Sequence, residues 1–356
     1  MLYPHLRAVW RDLTAAGGAF EMETVSACGH DVRIYKHAPK TLETFWRSAA
    51  QFADRPYLIF NDERFSYGET FEISEALAGR LTQMGIGRGD KIAIAMRNYP
   101  EWLMIYWAAM RIGAVIVGMN AWWTGTELGA ALALTQPKIV FADFERLERL
   151  IGAPFQLVSV RTEGAPFGAI DWSTLSAPGA PRAPTPNISG DDDACIFFTS
   201  GTSGTSKAAR LTHRNCLTNI YNVLFWGQAQ ALAQARASGA EPSPPGPSPV
   251  ALLATPLFHV TANNCGAHIV TALGGSMVLM ARWDAGEALL LIGLHGVTIL
   301  SGVPLMAREL ITHPNFSTSN LSSLTSIGGG GAPMQPDLVQ HRDRAYDLAH
   351  IRCLLK

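Results

Sequence analysis

The chain has 356 residues, 48% of them hydrophobic and only 16% charged, a balance that supports a large buried core and excludes a disordered protein. A formal net charge of −1 offers no excess of positive charge for nucleic acid, and the length fits roughly two domains or sub-domains. Cys28, Cys195, Cys216, Cys265 and Cys353 are odd in number and lack CxxC spacing, which predicts reduced, packed thiols of a cytoplasmic protein.

Residues 1–20 carry Arg7, Arg11 and Asp12 and lack the continuous apolar run of a secretory signal, and 1–40 reads as an N-terminal extension. Ile73, Leu77, Leu81 and Met84 recur at helical spacing, with Gly85 as the C′ stop. Lys91 to Ala95 then predicts a strand. Asn98 is placed to cap the next helix, with Pro100 in its first turn and Gly113 near its end. Glu101 reads as a first-turn helix charge and not as a catalytic acid. Only the stretch from Trp102 to Trp123 approaches membrane-span length. Arg111 and Gly113 interrupt it, so a helix followed by a strand at 114–117 explains it better. Trp102, Trp107, Trp122 and Trp123 are most simply packing residues.

Thr124 with Glu127 forms a capping-box pattern, Pro137 ends the helix it opens, and 138–142 supplies a third strand. This alternation predicts an α/β fold with a largely parallel sheet. The proline-rich run 177–186 reads as a linker between a first α/β sub-domain, 41–186, and a second, 187–356.

The second unit opens with a short buried strand, 194–198, and then Thr199, Ser200, Gly201, Thr202, Ser203, Gly204, Thr205, Ser206 and Lys207. Glycine lets a backbone approach a ligand closely, hydroxyls and N–H groups offer donors to an anion, and the lysine adds a mobile positive charge. The spacing from Gly204 to Lys207 is not that of a Walker loop. A flexible Gly/Ser/Thr linker has similar composition, but a strand before the run and a helix after it favour phosphate binding. Leu217, Ile220, Tyr221, Leu224 and Phe225 give that helix its apolar stripe. Strands are expected at 250–254, 276–280, 298–301 and 324–327, with Gly274 and Gly296 where helix stops are needed. The glycine run from Gly328 to Gly331, following a strand, reads as a ligand-facing loop, although a plain turn has the same composition.

The run from Phe198 to Lys207 resembles the phosphate-loop signature of the AMP-forming adenylating enzymes. Four further ordered segments are similar to that family: Asn98-Tyr99-Pro100-Glu101-Trp102, Thr255-Pro256-Leu257-Phe258-His259, Ser301-Gly302-Val303-Pro304-Leu305-Met306 and Gly330-Gly331-Ala332-Pro333-Met334. The likeness extends from about Thr41 to Pro336 and is nearest to fatty-acyl or aryl-CoA ligases.

The resemblance implies two stacked α/β sub-domains of a large N-terminal domain. It implies activation of a carboxylic acid by ATP with Mg²⁺, then transfer of the acyl group to coenzyme A. Thr199 to Thr205 and Lys207 would hold the β- and γ-phosphates. Gly331, Ala332 and Pro333 would line the adenine pocket, and His259 would sit at the acyl channel. A lone His259 fits a packed loop histidine equally well.

The sequence also departs from the family. Ala208 stands where glycine commonly follows the lysine. The Tyr-Gly-x-Thr-Glu and Thr-Gly-Asp segments are missing, as is the C-terminal domain with the adenylation lysine, so no catalytic residue is assigned. The charged tail from Gln340 to Asp347 fits a truncated or frameshifted gene, with a continuation expected downstream of Lys356 in another reading frame. Little or no complete ligase activity is expected of these 356 residues alone, the alternative being an inactive nucleotide- or acyl-binding remnant.

Overall fold

The computed structural model describes residues 2–27, 29–199, 206–241, 246–329 and 352–355. A short hairpin opens the chain, β1 (Met22–Ala27) and β2 (His30–Tyr35). Strands β3 (Pro56–Phe60), β4 (Glu63–Ser66), β5 (Lys91–Ala95), β6 (Val115–Gly118), β7 (Ile139–Asp143), β8 (Gln156–Val160) and β9 (Ile170–Asp171) follow. Then come β10 (Asp193–Thr199), β11 (Lys207–Thr212), β12 (Val250–Leu253), β13 (Ser276–Leu279), β14 (Ile299–Gly302), β15 (Ser326–Gly329) and β16 (Arg352–Leu355).

Among the described residues these strands form two seven-stranded sheets. The first has the order β11-β10-β6-β5-β7-β8-β9 and is parallel except for the β10–β11 hairpin. The second has the order β16-β15-β14-β12-β13-β3-β4 and is parallel except for β3–β4. Membership crosses residue 186 in both directions: β10 and β11 complete the first sheet, while β3 and β4 complete the second. The reason is burial. Ala194 to Phe198 are buried on both faces of their strand, which suits a sheet interior beside β6.

The proline-rich run is a packed strap and not a free linker. Ala183 is buried, and Arg111 donates to the carbonyls of Ala183 (2.7 Å) and Pro184 (3.0 Å). A Cβ on Gly79 would lie 1.9 Å from the Pro181 carbonyl oxygen, so the helix Tyr67–Gln83 takes the strap only through glycine.

The helix Pro100–Ile112 is buried along its whole length, as expected for a helix apolar all round. Its core combines Ile92 and Ile94 of the first sheet with Tyr57, Leu58 and Leu253 of the second. Trp107 stacks on Trp46 at 4.7 Å and donates to Tyr57 Oη at 3.0 Å. Burying each such aromatic contributes about 1.5–3 kcal/mol. Glu101 is a first-turn charge, paired with Arg161 at 2.9 Å.

Local signals held where the interaction is local. Thr124 and Glu127 form their capping box, and Gly85, Gly113, Gly274 and Gly296 all take positive φ. Asn98 does not cap the following helix: Tyr99 is the N-cap, and the Asn98 side chain reaches the other sheet. The extension, a helix Tyr3–Thr14 plus the β1–β2 hairpin, packs Val9, Leu13, Phe20 and Tyr35 on Phe225, Ala229 and Ala233. Among the described residues no helix is long and apolar enough to cross a membrane.

Candidate active site

Parallel strands send their carboxyl ends toward loops, and ligands of α/β sheets bind there. β10 ends at Thr199 and β11 begins at Lys207, its register partner, with Thr199 Oγ1 3.4 Å from the Lys207 carbonyl oxygen it donates to. The candidate phosphate loop therefore falls in sequence between two antiparallel, paired strands. The helix expected after it, His213–Ser238, comes only after strand β11, and Thr212 and Asn215 form its capping box. Lys207 is exposed on this first rung. Ser200, Gly201, Thr202, Ser203, Gly204 and Thr205 lie outside the described residues.

The second sheet delivers the segment Thr255–His259 from the end of β12. Asn98, at the end of β5 in the first sheet, holds it. Its Nδ2 donates to the carbonyls of Leu253 (3.2 Å) and Thr255 (2.9 Å), and its Oδ1 accepts from the Leu257 amide (2.8 Å). Phe258 is thereby pressed onto the ends of β6 and β10. A Cβ on Gly118 would meet the Phe197 ring at 2.8 Å and the Phe258 Cα at 3.3 Å, so this approach requires glycine. Trp122 packs edge-on against Phe258 at 5.2 Å, and Trp123 against Phe198 at 4.9 Å. His259 is half-buried beside Phe258, ring centroids 4.8 Å apart, at the start of the helix Val260–Ala262. Burial pushes its pKa below the ordinary imidazole range.

A cavity of about 390 Å³ opens between these loops, lined by Arg97, Asn98, Trp122, Phe258, Arg282 and Trp283 among others. Arg97 lies over the Trp122 ring at 5.7 Å, and its Nε is buried without a hydrogen-bond partner among the described residues. Desolvation, with Arg146 nearby, lowers the Arg97 pKa. A buried donor of this kind is costly unless an anion completes it. Arg146 and Arg149 donate to the Ala121 carbonyl, at 3.2 and 3.1 Å, and Glu145 pairs with both.

Thr199 ends β10, Lys207 pairs with it at the start of β11, and His259 follows β12 of the other sheet. Gly331, Ala332 and Pro333 lie outside the described residues, although β15, the strand leading to them, pairs with β14 up to Gly302 and Gly329. Sequence reasoning missed Arg97, Trp122 and Arg282. Each follows a parallel strand, which was the available signal. Trp122 in particular is 54% exposed and lines the cavity while keeping the packing role read from sequence, against Phe258.

With this geometry in view, the chain belongs to the AMP-binding enzyme family, whose model matches residues 45–350. Among curated relatives it is 30% identical over 314 residues to 4-coumarate–CoA ligase 3 of Arabidopsis thaliana, covering 86% of this chain and 54% of the relative. A feruloyl-CoA synthase of an Amycolatopsis species is 30% identical over 274 residues, covering 77% and 50%. The chain spans about half the length of these relatives. The luciferase-like enzyme of the mealworm Zophobas morio superposes with a TM-score of 0.76 at 20% identity, covering 90% of this chain and 72% of that one. The N-terminal domain of FACL13 from Mycobacterium tuberculosis gives 0.70 at 24% identity, covering 88% and 75%. These two likenesses show the fold, an α/β domain of the adenylating-enzyme type.

Proposed function

We propose that this chain carries the ATP- and carboxylate-binding face of an adenylate-forming CoA ligase acting on a hydrophobic acid, fatty or aryl. The observation that supports the reading is the packing of Phe258, the residue before His259 in the segment that follows one sheet's β12, close to Gly118 of the other sheet, whose strand partner Phe197 lies two residues before Thr199. Two sheets thus contribute to one site.

In the proposed reaction a carboxylate oxygen attacks the α-phosphorus of ATP and pyrophosphate leaves. Coenzyme A sulfur then attacks the acyl carbon, its thiol proton is released, and AMP departs. The first step brings anion to anion, so positioning and charge stabilisation dominate. Residues Thr199 to Thr205 with Lys207 would hold the β- and γ-phosphates, Gly331 to Pro333 the adenine, and His259 the acyl end. Arg97 and Arg282 give the cavity the charge to hold a phosphate-bearing part of ATP or coenzyme A. Mg²⁺ would enter with the nucleotide and neutralise phosphate charge. Among the described residues no cluster of three or more His, Cys, Asp or Glu offers an all-protein cage, and Mg²⁺ is usually bound through phosphates plus one or two carboxylates. The cytoplasm, where ATP and coenzyme A are supplied, is the proposed compartment.

A pyrophosphate-release assay with MgATP and a panel of acids tests this. 4-Coumarate and ferulate, suggested by the names of the relatives, belong in the panel beside medium- and long-chain fatty acids. Acid-dependent release abolished by Lys207→Ala supports the ligase. Nucleotide binding without release supports the alternative, a nucleotide- or acyl-binding protein without turnover. No binding of either substrate overturns both.

A further inference from the structure

Asn98 looks from sequence like a helix cap, and the fold gives it a different task. It is 3% exposed, and its carboxamide is fully used: two N–H groups serve the carbonyls of Leu253 and Thr255, and the oxygen takes the Leu257 amide. No other side chain of this size supplies two donors and one acceptor at once; aspartate lacks the donors and leucine lacks everything. One turn further on, Trp102 Nε1 donates to Asn263 Oδ1 at 3.3 Å, and the Asn263 amide returns to the His259 carbonyl at 3.0 Å. The chain is therefore held on both sides of His259, by Asn98 before it and by Trp102 after it. Both holders belong to the buried first-sheet segment that ends β5 and opens the helix Pro100–Ile112. Beyond the second hold the backbone runs through a π-helical turn, Asn263–Ala267, a conformation frequent near functional sites.

We infer that Asn98 is a positioning residue: it fixes the Leu253–Leu257 backbone so that His259 is presented to the carboxylate at the junction of the two sheets. This rests on the reading of His259 as the acyl-end residue given above. A residue that merely fastened one sheet to the other would act on stability and not through His259.

The test is a double-mutant cycle on the full chain, Asn98→Ser and His259→Ala, with binding of 4-coumarate and of decanoate measured in the presence of MgATP. Amide hydrogen exchange is followed in the same proteins. Asn98→Ser should weaken binding of whichever acid binds by about tenfold, the order expected for lost buried hydrogen bonds. His259→Ala should do the same, and the double variant should be no weaker than His259→Ala alone. Exchange at 253–259 should accelerate while β7 stays protected. Asn98→Asp, which keeps the acceptor, should retain protection at Leu257 alone, and it serves as the readout if the serine variant does not fold. Multiplying effects, or unchanged exchange at 253–259, overturn the inference. If His259→Ala leaves binding intact while Asn98→Ser still loosens 253–259, the assignment of His259 fails and the hold of Asn98 on the loop stands.

Discussion

Gly118→Ala tests the close packing of Phe197 and Phe258 on strand β6. The added methyl would lie 2.8 Å from two atoms of the Phe197 ring and 3.3 Å from the Phe258 Cα, where carbon atoms prefer about 3.5–4.0 Å. Neither neighbour can yield cheaply, since Phe197 is 4% and Phe258 3% exposed. Gly118 is absent from the positive-φ glycines, so the strain comes from volume and not from backbone conformation. Overpacking of this kind costs about 1–3 kcal/mol. Urea unfolding followed by tryptophan fluorescence is well placed to read it, because Trp122 and Trp123 sit on Phe258 and Phe198. Gly129→Ala provides the control. That glycine is exposed inside the helix Gly125–Thr135 with nothing among the described residues within 4 Å of an added Cβ, so alanine should stabilise by about 0.5–1 kcal/mol. Gly118→Ala should also weaken carboxylate binding, since Phe258 precedes His259. A Gly118→Ala protein as stable as the parent would refute the claimed approach.

Two other expectations concern charge. His213 and His268 are fully buried, and desolvation lowers their pKa values to about 4 and about 3. The unfolded chain, with a histidine pKa of about 6.5, binds protons first, so this stability is complete above that pH and is lost as pH falls toward the folded values. Each histidine should cost about 1.4 kcal/mol per pH unit in that window. Urea midpoints that stay level between about pH 7 and about pH 5, where few carboxylates titrate, would contradict this. Arg97→Ala removes a buried donor that has no partner among the described residues, so stability should hold or rise while affinity for ATP or coenzyme A falls about tenfold. Calorimetric titration beside a thermal melt checks both, and a less stable protein with unchanged affinity would reverse the assignment.

The parts of the fold legible in the sequence were those fixed by neighbours in the chain. Strand β5 coincides with its predicted span, and the Thr124–Glu127 box forms because its partners are three residues apart. Sheet membership was not legible. The joining of β3 to β13, and of β10 to β6, is decided by burial between segments far apart in sequence, and the proline-rich strap gave no sign of it. Asn98 shows the same limit at one residue: its hydrogen-bond partners lie 155 to 159 positions away, so only a local capping role could be read. The proposed site rests on motifs read in the sequence, the ordered segments that hold Thr199, Lys207 and His259. Its positive cavity was not legible, because Arg97, Trp122 and Arg282 come from three separate strand ends of two sheets.

The central claim is that the Thr199–Lys207 segment serves the phosphates of ATP. Titration of the chain with MgATP, repeated on Lys207→Ala, tests it most directly. Saturable binding that weakens about tenfold or more when the lysine charge is removed, with the fold intact by circular dichroism, is the predicted result. A folded chain that binds no ATP, or binds it equally well without Lys207, would contradict the account.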